Sequence, residues 1–411
     1  MKPYTYKEIT AYGLFGFPLA LVALPIYIYV PMFYAQRFGM SLTLIGGALL
    51  ITRLLDAFID PAIGLWIDRS QTAYHRCMVW SLPFLLAGFI ALFHPPQISK
   101  QYAFFWFLFS LMVVYAGFSL ATIAYQSWGA ALTQARAHRS RVSATREGFG
   151  LVGVIIAATL QGFTNVGWLS WIFVGSLLTA TLVLLKYAPR PVLSLLPAPI
   201  AAGWLTPFGN PLFRSLFAVF MVNGIAAAIP ATLFLFFVKD RLAMPQYAGM
   251  FLTFYFIAAF LSMPLWVYLS KRHGEKNIWL IAMALAISSF TWAYTLSAGA
   301  VLAYAFICII SGAALGADLA LPAALLAAVI HHANDSGAHE GVYFGAWNWA
   351  TKMNLALAAG IVLPGLGLAG YSSGTSQPNA LLMLALAYAL LPGALKTLAA
   401  LLLWRAPLNQ I

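Results

Sequence analysis

The sequence predicts an all-α integral membrane protein with about twelve spanning helices. Three observations predict it. Of 411 residues, 62% are hydrophobic and only 8% are charged, with mean hydropathy +0.86; soluble domains sit nearer half apolar and a quarter charged. The apolar residues gather into runs of roughly 20 or more, the length needed to cross about 30 Å of hydrocarbon. No run has the pattern of a barrel strand, and backbone in lipid must bond to itself, so the runs are read as helices.

In order, the spans are expected at about 9–35, 42–66, 77–95, 102–131, 143–164, 167–187, 211–238, 245–269, 277–297, 299–330, 341–366 and 379–404. The first follows Lys2 and Lys7, is too long for the apolar core of a signal peptide and lacks a small-residue cleavage site. Basic residues mark the gaps that follow. Arg37 lies after the first span, Arg69 and Arg76 after the second, Lys100 after the third. Arg136, Arg139, Arg141 and Arg146 follow the fourth, Lys186, Arg190 and Arg214 flank the sixth gap, and Lys239 and Arg241 follow the seventh. Lys271, Arg272 and Lys276 follow the eighth, and Arg405 ends the twelfth. The termini and even-numbered gaps hold most of this charge, which places both termini in the cytoplasm. The net charge of +12 is accounted for by that topology, without a nucleic-acid partner. Cys77 and Cys308 fall in apolar segments and read as small packing residues.

The proline-rich stretch "KYAPRPVLSLLPAPIAAGWLTPFGNP" breaks the pattern near the middle. The expected organisation is a six-helix bundle over residues 1–187, a cytoplasmic linker over 188–210 and a second six-helix bundle over 211–411. A weak repeat supports it: "GLWIDRSQTAYHR" follows the second span and "PLWVYLSKRHGEK" the eighth. Repeated halves suit a transporter with its substrate site between them near the midplane.

Charges inside the spans carry the functional signal. In "RLLDAFIDPAIGLWIDRS", Arg53, Asp56 and Asp60 fall within about 60° of one another on one helix face. A carboxylate at that depth costs at least about 2.5–3.5 kcal/mol, so such groups face a bundle interior or a wet cavity. Asp318 lies near the centre of the tenth span and Lys352 near the centre of the eleventh. Arg53 can pair with Asp56, and Asp318 with Lys352, as packing ion pairs. Lys396, nearer the end of the twelfth span, is expected to snorkel to the interface. If the five central charges share one cavity, they sum to one negative charge, which one proton or one Na⁺ neutralises.

At these residues the sequence resembles the glycoside–pentoside–hexuronide:cation symporters, which have the major facilitator fold. The match is R-x-x-D-x-x-x-D-P-x-x-G at Arg53, Asp56, Asp60, Pro61 and Gly64, and a looser one from Gly341 to the intramembrane Lys352. The resemblance implies that Asp56 and Asp60 hold the coupling cation with help from a hydroxyl at Ser119. It also implies that Lys352 lies near that site and that Arg146 belongs to the substrate region. Arg146 reads equally as a cytoplasmic loop cation. Two departures matter. Where the sugar carriers have an asparagine before the second aspartate, this chain has Ile59; losing an oxygen ligand favours H⁺ over Na⁺ as coupling ion. Where they grip sugar hydroxyls with carboxylates, it has Ala20 and Thr122. Segments such as "SATREGFGLVGVIIAATLQG" also look similar to lysolipid symporters of the same family, which leaves open a lipid-like or amphipathic anionic substrate.

"HHANDSGAHE" matches no common zinc spacing and reads as a solvated loop, although His331, His332 and Asp335 could serve a membrane-embedded enzyme, and a pH-sensing role is also open. Gly150, Gly153 and Gly360 read as close-packing positions. No phosphate-cradling loop is present. The expectation is a cation-coupled symporter of a small organic or lipid-like solute, with no resident cofactor. It is expected to act as a monomer in a bacterial inner membrane.

Overall fold

A computed structural model of the chain describes residues 5–40, 42–69, 74–97, 99–132, 136–160, 166–190, 203–333, 335, 339–371, 374 and 376–408. The described residues are helical almost throughout. The helices are α1 (Tyr6–Gly13), α2 (Gly16–Phe38), α3 (Leu42–Arg69), α4 (Tyr74–Phe93), α5 (Lys100–Ala131), α6 (Arg136–Leu160), α7 (Val166–Tyr187), α8 (Pro211–Phe236), α9 (Ala248–His273), α10 (Glu275–Tyr294), α11 (Val301–His332), α12 (Glu340–Leu368), α13 (Pro378–Ala385) and α14 (Leu391–Arg405). A π-turn at Phe237–Arg241 extends α8, and another at Leu386–Leu390 joins α13 to α14. Among the described residues, nine helices are long and apolar enough to cross a membrane. The fold is that of an all-helical, multi-pass membrane protein. Part of the central linker, residues 191–202, lies outside the described residues.

Local chemistry explains several boundaries. Thr5 and Glu8 form a reciprocal capping box at the start of α1. Asn210 accepts the amides of Leu212 and Phe213 at 2.9 and 3.4 Å, and Pro211 takes the first helical position of α8, where a missing N–H costs nothing. Gly274, at φ 85°, turns α9 directly into α10, a conformation that a side chain would strain.

The chain divides into two compact units. One comprises Met1–Pro207 with Ile330–Trp349; the other comprises Phe208–Val329 with Ala350–Ile411. In the first unit α5 is held from behind by α4. A Cβ on Gly117 would lie 2.7 Å from the Leu85 amide nitrogen, and one on Gly88 2.5 Å from the Val114 nitrogen. This small-residue seam lets the two backbones approach closely, and it fixes the rotation of α5 about its axis. In the second unit, Phe237 and Tyr388, one from each π-turn, stack at 4.0 Å and 8°. The Tyr304 and Tyr388 hydroxyls meet at 2.7 Å.

Because that seam is backbone on backbone, Gly88→Leu has no flexible neighbour to displace. It is expected to destabilise the detergent-solubilised protein by on the order of 1–3 kcal/mol, read as a lower melting temperature. A melting temperature equal to wild type would show that the two helices do not approach as described.

Candidate functional site

The acids of α3 are buried as their spacing predicts. Asp60 is fully buried and Asp56 is 7% exposed, whereas Leu55, Phe58 and Ile59 beside them in the chain are 45% exposed or more. Ser119 on α5 donates a short 2.6 Å hydrogen bond to Asp56 Oδ1. Arg53, half-buried one turn before Asp56, lies within electrostatic reach of Asp56, Asp60 and Tyr115. The structure therefore brings together Arg53, Asp56, Asp60 and Ser119. Thr122 lies one turn beyond Ser119 on the same face of α5, its buried hydroxyl without a hydrogen-bond partner among the described residues. Pro61 follows Asp60 and lacks the N–H that would bond the Ala57 carbonyl, leaving an acceptor in the same stretch of helix. Ile59, one turn beyond Asp56, is 45% exposed.

The other predicted residues have their own surroundings. Arg146 is 8% exposed and gives Nε and Nη2 to Glu147 Oε1 at 3.0 and 2.7 Å. It lies beneath the Tyr12–Tyr125 pair, in which each hydroxyl donates to the other residue's carbonyl, at 2.8 and 2.6 Å. Arg146 is thus a buried, partnered cation and not a solvated loop residue. Lys352 is half-buried in the part of α12 that belongs to the second unit. Asp318 is held by three donors: Lys396 Nζ at 2.6 Å, the Trp279 indole at 2.7 Å and the Asn223 amide at 3.3 Å. Two expectations need correcting here. Lys396 does not snorkel; it is 3% exposed and paired. The salt-bridge partner of Asp318 is Lys396, not Lys352. A buried carboxylate selects the nearest cation that can reach it without solvent, whatever that cation's distance from its own helix end.

The sequence reading passed over Asp68 and Glu340. Asp68 accepts the amides of Gly341 and Val342 at 2.8 and 2.7 Å, placing an anion on the first turn of α12, where free N–H groups point outward. Burial pushes the Asp68 carboxyl well up, against these two bonds, which hold it down. Tyr74 donates to Glu340 at 3.0 Å. The contact is so close that a Cβ on Gly64 would lie 2.1 Å from the Gly341 carbonyl oxygen, and one on Gly345 2.8 Å from that of Asp60. The available signal was the acid closing the helix in "GLWIDR" together with the glycines of "EGVYFG".

His339 Nδ1 meets Asp335 Oδ1 at 3.2 Å, and the Tyr343 hydroxyl donates to Asp335 Oδ2 at 2.8 Å. The bond to Asp335 raises the His339 pKa, with Asp68 and Glu340 adding to it and burial opposing it. No group of three or more metal-ligating side chains occurs among the described residues.

A model of the MFS/sugar transport protein family matches residues 11–410. The chain is 28% identical over 222 residues to an uncharacterised symporter of Synechocystis sp., covering 47% of the chain and 41% of that protein. It is 23% identical to the uncharacterised symporter YjmB of Bacillus subtilis, over 90% of the chain and 85% of the relative. It is 21% identical to the sodium-dependent lysophosphatidylcholine symporter 1 of Gallus gallus, over 80% of the chain and 73% of that protein. Among solved structures, a bacterial homologue of the iron transporter ferroportin shares the fold with TM-score 0.73 at 16% identity, over 95% of the chain and 99% of that structure.

Two outcomes are expected. Asp318→Asn or Lys396→Gln alone strands one buried charge and should cost about 3–5 kcal/mol, read as melting temperature. The double variant should regain most of that loss; a sum of the single losses would mean the two groups do not act as a pair. The raised His339 pKa sets the second. The folded loop is favoured by protonated His339, so its stability is fully present below the ordinary histidine pKa and is lost as pH rises through the raised value. Hydrogen exchange of residues 339–349 should therefore quicken with rising pH beyond its intrinsic trend, and His339→Gln should remove the excess.

Proposed function

The chain belongs to the MFS/sugar transport protein family, and from that premise we propose that it couples solute movement to a cation gradient at Asp56 and Asp60. It is a multi-pass major facilitator transporter, like its relatives, and not an enzyme. The observation that carries the coupling site is the burial of two carboxylates in mid-helix, one of them bound by the Ser119 hydroxyl. Ionised carboxylates at that depth are costly, and a proton or a small cation relieves the cost. Occupancy would then govern whether solute binds and whether the transporter cycles by alternating access. Lys352 and Arg146 would act in solute binding and coupling. The bundles over 1–187 and 211–411 would be the moving bodies, with both termini in the cytoplasm of a bacterial inner membrane and a monomer as the working unit.

The family description supports a sugar-like solute. A second reading, a lysolipid or amphipathic anion, is supported by likeness to the sodium-dependent lysophosphatidylcholine symporter over most of the chain. Proton coupling is favoured because Ile59 offers no oxygen; the hydroxyls of α5 beside the acids give Na⁺ a claim as well.

A stabilisation screen of the purified protein across sugars, organic acids and lysolipids, at varied pH and Na⁺, identifies solute class and ion together. In vesicles, Asp56→Asn and Asp60→Asn should each abolish gradient-driven accumulation while leaving insertion intact. Undiminished concentrative uptake by both variants would end this proposal.

A further inference from the structure

Sequence motifs account for Asp56, Asp60 and Ser119, but not for Tyr115. Among the described residues its buried hydroxyl has no hydrogen-bond partner, and the residue is 6% exposed. Buried polar groups are bonded in roughly 90% of cases or more, and an orphaned one costs on the order of 1–3 kcal/mol. Tyr115 lies within electrostatic reach of Arg53 and Asp56, so the unmet hydroxyl is in the neighbourhood of the acids.

Helix geometry makes this placement systematic. Tyr115, Ser119 and Thr122 stand at i, i+4 and i+7, within about 60° of one another on α5. The back of that helix is pinned to α4 at Gly117. Arg53 answers to Tyr115 and Asp56 to Ser119, offsets of 62 and 63 residues, so α3 and α5 run side by side in the same direction. The same offset sets Thr122 level with Asp60. Ser119 and Thr122 thus stand level with the two carboxylates, and Tyr115, one turn earlier and level with Arg53, still has Asp56 within electrostatic reach. Two of the three, Tyr115 and Thr122, have buried oxygens with no hydrogen-bond partner among the described residues.

We infer that Tyr115 supplies a neutral oxygen to the coupling-cation site, completing with Ser119 and Thr122 a ladder of hydroxyls opposite Asp56 and Asp60. The inference rests on the reading of those acids as the cation site. A hard cation takes several oxygen ligands. Two carboxylates and three hydroxyls provide such a set without the asparagine whose place Ile59 takes. The ligand class is a small monovalent cation, Na⁺ or a proton. In either case the phenol oxygen bonds to the occupied site.

The test uses purified full-length protein in detergent, with NaCl exchanged against choline chloride at constant ionic strength. The readouts are melting temperature and intrinsic tryptophan fluorescence. Tyr115→Phe should raise the half-saturating Na⁺ concentration roughly tenfold, the worth of one lost bond to a charged group. Its melting temperature in choline should stay near wild type. Should Na⁺ leave wild type unmoved, the same titration in pH reads the proton, and Tyr115→Phe should displace its midpoint. Asp56→Asn separates the two claims. If it retains the ion response, the site itself is misassigned. If it loses the response while Tyr115→Phe keeps wild-type half-saturation, only the role of Tyr115 is overturned. Should Tyr115→Phe fail to fold, Thr122→Val removes the neighbouring rung and should weaken ion binding in the same direction; wild-type binding there would overturn the ladder.

Discussion

A carboxylate cannot be left alone in hydrocarbon, and the arrangement of this protein follows from that constraint. Each of three acids meets it differently. Asp56 takes a hydroxyl from the neighbouring helix. Asp318 takes a lysine, an indole and an amide from three other helices. Asp68 takes the exposed amides at the start of α12. The differences are chemically informative. A lysine at 2.6 Å answers Asp318 with a full opposite charge, which makes that pair a pin within the second unit. Asp56 accepts a neutral hydroxyl and has Arg53 within electrostatic reach on its own helix.

The packing that presents Ser119 is as important as the acid it binds. The glycines at 88 and 117 bring the backbones of α4 and α5 together and set which side of α5 faces α3. One turn of error would carry the hydroxyls away from the carboxylates. The seam made by Gly64, Gly341 and Gly345 likewise brings the start of α12 against α3, close beside Asp60. The helix with the two buried acids thus ends against the first turn of α12.

Much of this was legible in the sequence. Helix extents followed from apolar run length, because crossing hydrocarbon demands a minimum length and little else. The shared face of Arg53, Asp56 and Asp60 followed from the helical repeat. Partner choice did not, since periodicity tells which way a side chain points and not what waits there. Lys396 is 78 residues from Asp318 and near a helix end, and its distance from the end suggested solvent. Asp68 stands outside the apolar run, where a charge is ordinary and run length gives no signal. Tyr115 stands inside one, where an aromatic is ordinary, and its buried oxygen without a hydrogen-bond partner among the described residues distinguishes it.

The glycine seam between α3 and α12 has one more implication. Main chain resting on main chain offers no knobs to withdraw from holes and no rotamers to release. The join is held instead by the closeness of two backbones and by the two amide bonds to Asp68, so its strength depends on residues having no side chain at all.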